Sequence, residues 1–279
     1  MERVDPRHRQ AEPGRAICAR LGDPGGLTRL VSATTSQLLD SLAYSGVPYR
    51  VAAPLGGVPV HAWDLRALAA DAARDGSLLV VDNSLTTSFG CAALGRGADV
   101  AFEGACALQA RDGDSPTDGG GGGSPLLFVS GARGRGRLAV EALPLDDAPP
   151  VVWEALLATE GERERRRRSA NDAAQVVASY LRCHPAVAHV WYPGLRDDPS
   201  HAAAASILSN GFGPLVDFAL RDGWRLVTDA PLVQGLLDRL PTHAQFRLRC
   251  PAGAPWSWDS SAPSCARADR LVPLACASS

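Results

Sequence analysis

The sequence predicts an α/β protein: a larger unit built on a mainly parallel sheet, then a smaller C-terminal α/β unit. Three observations predict it. Short apolar runs that read as buried strands alternate with helix-period segments across residues 47–102, the pattern of parallel strands joined by helical crossovers. A second alternation of helix and strand runs through residues 152–220. A proline-rich patch at 144–150 separates the two. The 279 residues, 46% of them hydrophobic, suffice for one large core or two modest ones.

The elements follow in chain order. Residues 1–13 read as a solvated tail, 14–148 as the larger unit and 149–279 as the smaller one. LTRLVSATTSQLLDSLAY, from Leu27 to Tyr44, is compatible with a helix ended by Gly46, and VPYRVAA at 47–53 with a short strand. Asp64 is placed to cap a helix through LRALAADAARD, stopped by Gly76. The run at 77–81, short and wholly apolar after its serine, reads as a buried strand ending at Asp82-Asn83. A short helical stretch from Phe89 to Leu94 leads to a second strand at 98–102.

Residues 111–124 contain five consecutive glycines and read as a flexible loop. PLLFVS then reads as a strand, and Arg133-Gly-Arg-Gly-Arg137 as a mixed-charge loop. From about Val152 to Leu181 the spacing of Ala170, Ala173, Ala174, Val177, Tyr180 and Leu181 predicts a long helix with one apolar face. A strand at 187–191, a helix at 201–208 and a strand at 214–220 complete the smaller unit.

Composition excludes several function classes. All 28 Lys+Arg residues are arginines against 30 acidic residues, for a net charge of −2. A dedicated nucleic-acid binder is usually basic, so the run Glu162-Arg-Glu-Arg-Arg-Arg-Arg168 reads as a solvated helix face. The absence of lysine removes any chemistry that needs a lysine amine. Seven cysteines lie far apart with no C-x-x-C pair, no zinc spacing is present, and no metal is expected. The charged N-terminal residues lack the apolar core of a signal peptide, and no apolar run reaches membrane-spanning length. A cytoplasmic protein that does not engage membranes is the expectation.

Chemistry in an open α/β sheet collects beyond the carboxyl ends of the strands. Asp82 and the segment from Glu103 to Leu108 sit there. A carboxylate in that place holds a protonated ring nitrogen or caps the next turn, and both readings stay open for Asp82.

Two longer blocks carry a resemblance. DGSLLVVDNSLTTSFGCAALGRGADVAFEGA is similar to the core of the Cys/Met-metabolism family of pyridoxal-phosphate enzymes, the cystathionine γ-synthases, γ-lyases and their relatives. NDAAQVVASYLRCHPAVAHVWYPGL, followed by NGFGPLVDFAL, resembles the same family in the same order. The likeness runs from about Gly25 to Leu220 and is densest over 61–106 and 170–220.

The resemblance implies a type I pyridoxal-phosphate-transferase fold with a truncated large domain. It places Asp82 against the pyridine nitrogen, where a carboxylate keeps the ring an electron sink. It places Gly104 and Cys106 at the phosphate-binding positions and Arg247 as the nearest match to the arginine that takes the substrate carboxylate. The Schiff-base lysine position falls on Ala107, so the catalytic set is empty. The expectation is a degenerate transsulfuration homologue, non-catalytic, with pyridoxal phosphate as cofactor by resemblance only. Such a chain fits a homo-oligomer, or a hetero-oligomer with a competent paralogue.

Overall fold

The computed structural model describes residues 14–105, 125–226, 245–250 and 271–273. Helix α1 (14–20) precedes strand β1 (Leu27–Ser32), helix α2 (Thr35–Tyr44) and strand β2 (Tyr49–Ala52). A small hairpin of β3 (Leu55–Gly56) and β4 (His61–Ala62) leads to α3 (Leu65–Arg74), β5 (Leu78–Asp82), α4 (Thr87–Gly90), β6 (Val100–Gly104) and β7 (Leu126–Gly131). Then come α5 (Arg135–Glu141), α6 (Pro150–Ala158), α7 (Glu160–Cys183), β8 (Val187–Trp191), α8 (His201–Ile207) and β9 (Leu215–Leu220). Strands β10 (Trp224–Leu226), β11 (Gln245–Arg249) and β12 (Leu271–Pro273) close the described chain.

The larger sheet has the order β1-β7-β6-β5-β2. β5 pairs in parallel with β2 and β6, while β7 pairs antiparallel with β6 and β1. Four of the five strands therefore run one way, which is the mainly parallel sheet expected. Every residue from Leu78 to Val81 is buried, because apolar layers cover both faces. Leu79, Val81, Ala101 and Phe128 pack with Ile17 of α1, Leu65 of α3 and Trp153 of α6. Val80, Val100, Phe102 and Val129 pack on the opposite face with Leu38 and Leu42 of α2 and Val140 of α5. The smaller sheet, β11-β9-β8, is antiparallel. Its Val216 and Phe218 form a separate core with Ala174, Ala178 and Leu181 of α7, the helix face that the spacing predicted.

Three local expectations are corrected. Residues 27–44 form not one helix but β1 and then α2. Thr34 starts the helix with a capping box, its Oγ1 accepting from the Gln37 backbone while Gln37 Oε1 accepts from the Thr34 backbone. A cap of this kind contributes about 1 kcal/mol, and it commits the residues before it to the strand. Arg29 leaves the strand to donate to the carbonyls of Val140, Leu143 and Leu145.

The long helix is two, divided at Thr159, whose hydroxyl donates back to the Leu156 carbonyl. Residues 133–137 lead into and open α5 rather than forming a loop. Smaller adjustments are that the short helix begins at Thr87, with a 3₁₀ turn at Leu94–Arg96 following it. Asp64 caps α3 as expected, accepting from the Arg66 and Ala67 amides. The glycine-rich loop and most of the last thirty residues lie outside the described residues.

Among the described residues β2 has one sheet neighbour, β5, and Tyr44, Val47 and Val51 beside or on it are exposed. No helix among the described residues is long and apolar enough to cross a membrane.

Candidate functional site

The two faces of the larger sheet carry different chemistry at the strand ends. Alternation along β5 and β6 puts Asp82 on the face of Val80 and Phe102, and Glu103 on the face of Ala101.

Asp82 is half-buried at the end of β5 and pairs in register with Phe102. Its Oδ1 accepts from the Ser84 amide at 2.9 Å, so one carboxylate oxygen closes the turn after the strand. The next residue fixes that turn. Asn83 is fully buried, its amide nitrogen donates to the Cys91 carbonyl, and its Oδ1 accepts from the Thr86 hydroxyl.

Gly104 ends β6 opposite Leu127 and offers no side chain. Cys106 and Ala107 lie outside the described residues.

Arg247 sits on β11 directly opposite Asp217 of β9. Its Nε donates to Asp217 Oδ1 at 2.7 Å and its Nη2 to Oδ2 at 2.6 Å, and Nη2 also reaches the Gly57 carbonyl. Asp217 is only 2% exposed and accepts a third bond from the Val60 amide. The guanidinium predicted to take a substrate carboxylate is thus held in a fork by a carboxylate of the chain itself. This pair ties residues 57–60 to the smaller sheet.

On the other face, Glu103 is buried between α4 and α7. It accepts from the Ser88 amide at 2.5 Å and from the Ser88 hydroxyl at 3.1 Å. Thr87 presents Ser88 from a left-handed backbone conformation, φ 54°, which a β-branched residue adopts only under constraint from its surroundings. Burial raises the Glu103 carboxyl above its ordinary 4.5, against the Ser88 bonds and the charges of Arg167 and Arg20, which lower it. Arg167, whose Nη1 donates to the Leu85 carbonyl, is lowered to about 10, mainly by burial. Arg163 donates to the carbonyls of Ala105 and Leu156. Arg20 pairs with Glu160 and Glu164. Together these groups line a cavity of about 40 Å³ floored by Phe128.

The sequence reading missed Arg163 and Arg167. It assigned the whole arginine run to a solvated face, which fits the exposed Arg165, Arg166 and Arg168 but not the two that line the cavity. The signal was present in the i, i+4 spacing of Arg163 and Arg167 and in a glutamate ending an apolar strand.

The raised Glu103 carboxyl predicts a pH dependence. Above 4.5 the unfolded chain releases this proton while the folded chain retains it. Glu103 therefore favours folding most below its ordinary value, and stability falls as pH rises through the raised one. Glu103→Gln should flatten that fall, measured by urea unfolding across the pH range. An unchanged slope would contradict the assignment.

The donor set does not fit covalently held pyridoxal phosphate. The sequence has no lysine, Gly104 lacks a hydroxyl, one Asp82 oxygen closes a turn, and Arg247 is committed to Asp217.

Comparison with known proteins finds one family. Residues 163–236 match the family described as Cys/Met metabolism PLP-dependent enzyme. A Streptomyces coelicolor protein provisionally named cystathionine gamma-lyase is 34% identical over 166 residues, 56% of this chain and 38% of that protein. Chloroplastic cystathionine gamma-synthase 1 of Nicotiana tabacum is 30% identical over 161 residues, 58% of this chain and 28% of its own length. The matches thus span well under half of these relatives.

The fold agrees. Cystathionine gamma synthase of Xanthomonas oryzae pv. oryzae, solved with cystathionine, has a TM-score of 0.55 at 21% identity, covering 80% of this chain and 69% of that one. Cystathionine gamma-lyase of Lactobacillus plantarum, solved with L-serine, has a TM-score of 0.58 at 15% identity, covering 88% and 82%. Residues 163–236 are thus similar in sequence to the Cys/Met metabolism PLP-dependent family, and the chain has the fold of the cystathionine gamma synthase and cystathionine gamma-lyase structures.

Proposed function

We propose that this chain is a non-catalytic homologue of the transsulfuration enzymes, acting as a subunit in an oligomer of its own kind or beside a competent paralogue. One observation carries the reading: a chain of this lineage contains no lysine anywhere. In such chemistry a lysine amine anchors the cofactor and moves the proton at the substrate α-carbon, and alanine at position 107 does neither. The committed Arg247 supports it further, since the arginine that matches the substrate-binding position is satisfied within the chain. The exposed apolar side chains at β2, the edge strand of the larger sheet among the described residues, are in keeping with a chain that assembles. We assign the cytoplasm as its compartment, in keeping with the free thiols of Cys18, Cys91 and Cys183 among the described residues.

Cystathionine, the ligand in the Xanthomonas structure, supplies the test. Incubated with the purified chain and pyridoxal phosphate, it should turn over no faster than with free pyridoxal phosphate. Saturable turnover by the chain alone would overturn the reading. Turnover that rises when this chain is added to a competent homologue would support the subunit role.

A further inference from the structure

We propose that the cavity between β6, α4 and α7 binds a small oxyanion of the phosphate or sulfate class, held by Arg163, Arg167 and Arg20. This site lies across the sheet from Asp82 and does not depend on the transsulfuration reading.

Unmet hydrogen bonding is the first argument. Among the described residues, three buried side-chain nitrogen or oxygen atoms have no partner, and all three are donors: Nε of Arg20, Nε of Arg163 and Nε1 of Trp153. Two of these arginines line the cavity, and Trp153 packs on Phe128, its floor. Buried donors without acceptors are uncommon in folded chains, and two of the three belong to arginines that line the cavity.

Charge points the same way. Among the described residues, neither Arg163 nor Arg167 makes an ion pair within 4 Å; both donate to backbone carbonyls. The two nearby helix carboxylates, Glu160 and Glu164, are taken by Arg20. Glu103 has both oxygens on Ser88. Glu103, Glu160 and Glu164 line the cavity as well, so the proposal rests on Arg163 and Arg167 having no direct ion pair there, and guanidinium forks suit tetrahedral and planar oxyanions. A cavity of about 40 Å³ has room for roughly a few waters, the size of one small oxyanion rather than of a cofactor ring.

Inorganic phosphate is the probe. Titration of the full chain by calorimetry, at ionic strength held constant with sodium chloride, should show saturable binding that sulfate competes away. Arg163→Lys, which keeps the charge but loses the Nε–H, should weaken binding at least tenfold. Arg165→Gln, an exposed arginine on the same helix paired with Glu162, should leave it unchanged. Glu103→Gln should bind phosphate as well or better, since a negative charge near the anion is removed. Should Arg163→Lys not fold by circular dichroism, Arg20→Gln carries the same expectation. The proposal fails if wild type shows no saturable binding, which would mean the cavity holds water. It fails equally if Arg165→Gln loses as much affinity as Arg163→Lys, which would mean only diffuse surface charge.

Discussion

Alanine in place of Gly136 is expected to destabilise the protein by on the order of 3 kcal/mol. Gly136 is buried in the first turn of α5, and a methyl group there would overlap the carbonyl oxygen of Asp99 at the start of β6. Neither side can yield easily. The Asp99 carbonyl accepts from the Ala132 amide, and its carboxylate accepts from the Leu79 amide and from Arg135. Gly131 is equally tight, because a methyl on it would meet the Gly136 carbonyl. α5 is seated backbone to backbone on the β6–β7 end of the sheet. Gly134→Ala makes the comparison: its φ of 91° strains any side chain, but a methyl there meets no atom within 4 Å. Urea unfolding should show the larger loss at Gly136. A larger loss at Gly134 would mean that conformation, not packing, explains these glycines.

Arg247→Met should cost about 2 kcal/mol by leaving a buried carboxylate short of its partner. The figure is below the usual value for a fully buried pair because the Arg247 side chain is 37% exposed. Asp217 would keep only the Val60 amide. The double variant Asp217→Leu/Arg247→Met should recover part of the loss, since an apolar pair replaces an unpaired charge. A double-mutant cycle reads the coupling directly. If Arg247→Met left stability untouched and instead abolished capture of an amino-acid carboxylate, Arg247 would be a ligand-binding residue and our structural account of it would be wrong.

How much of this was legible in the sequence depended on whether the signal was local. The strand at 78–82 announced itself as a continuous apolar run, and the inner face of α7 as helical spacing from Ala170 to Leu181. β1 did not, because LTRLVS buries Thr28, Leu30 and Val31, a spacing that a helix also tolerates. Only its pairing with β7, about a hundred residues away, makes it a strand. The glycines of 131–136 looked like loop composition, yet they are there for a close approach between elements distant in sequence. At the site, Asp82 and the Glu103 strand end were placed correctly as positions. What each side chain does was not legible, because partners such as Ser88, Asp217 and the inward arginines come from other elements. The split of the arginine run depends on which side of α7 faces the sheet, a tertiary fact.

The central claim, that this lysine-free chain does not hold pyridoxal phosphate covalently, is tested most directly by chemistry at the amine. The full chain is incubated with pyridoxal phosphate, reduced with borohydride and examined by intact-mass and peptide mass spectrometry. We predict no pyridoxyl adduct on any side chain, with at most trace labelling of the terminal amine. A stoichiometric adduct within the folded chain, accompanied by a saturable shift in the visible spectrum before reduction, would contradict the account.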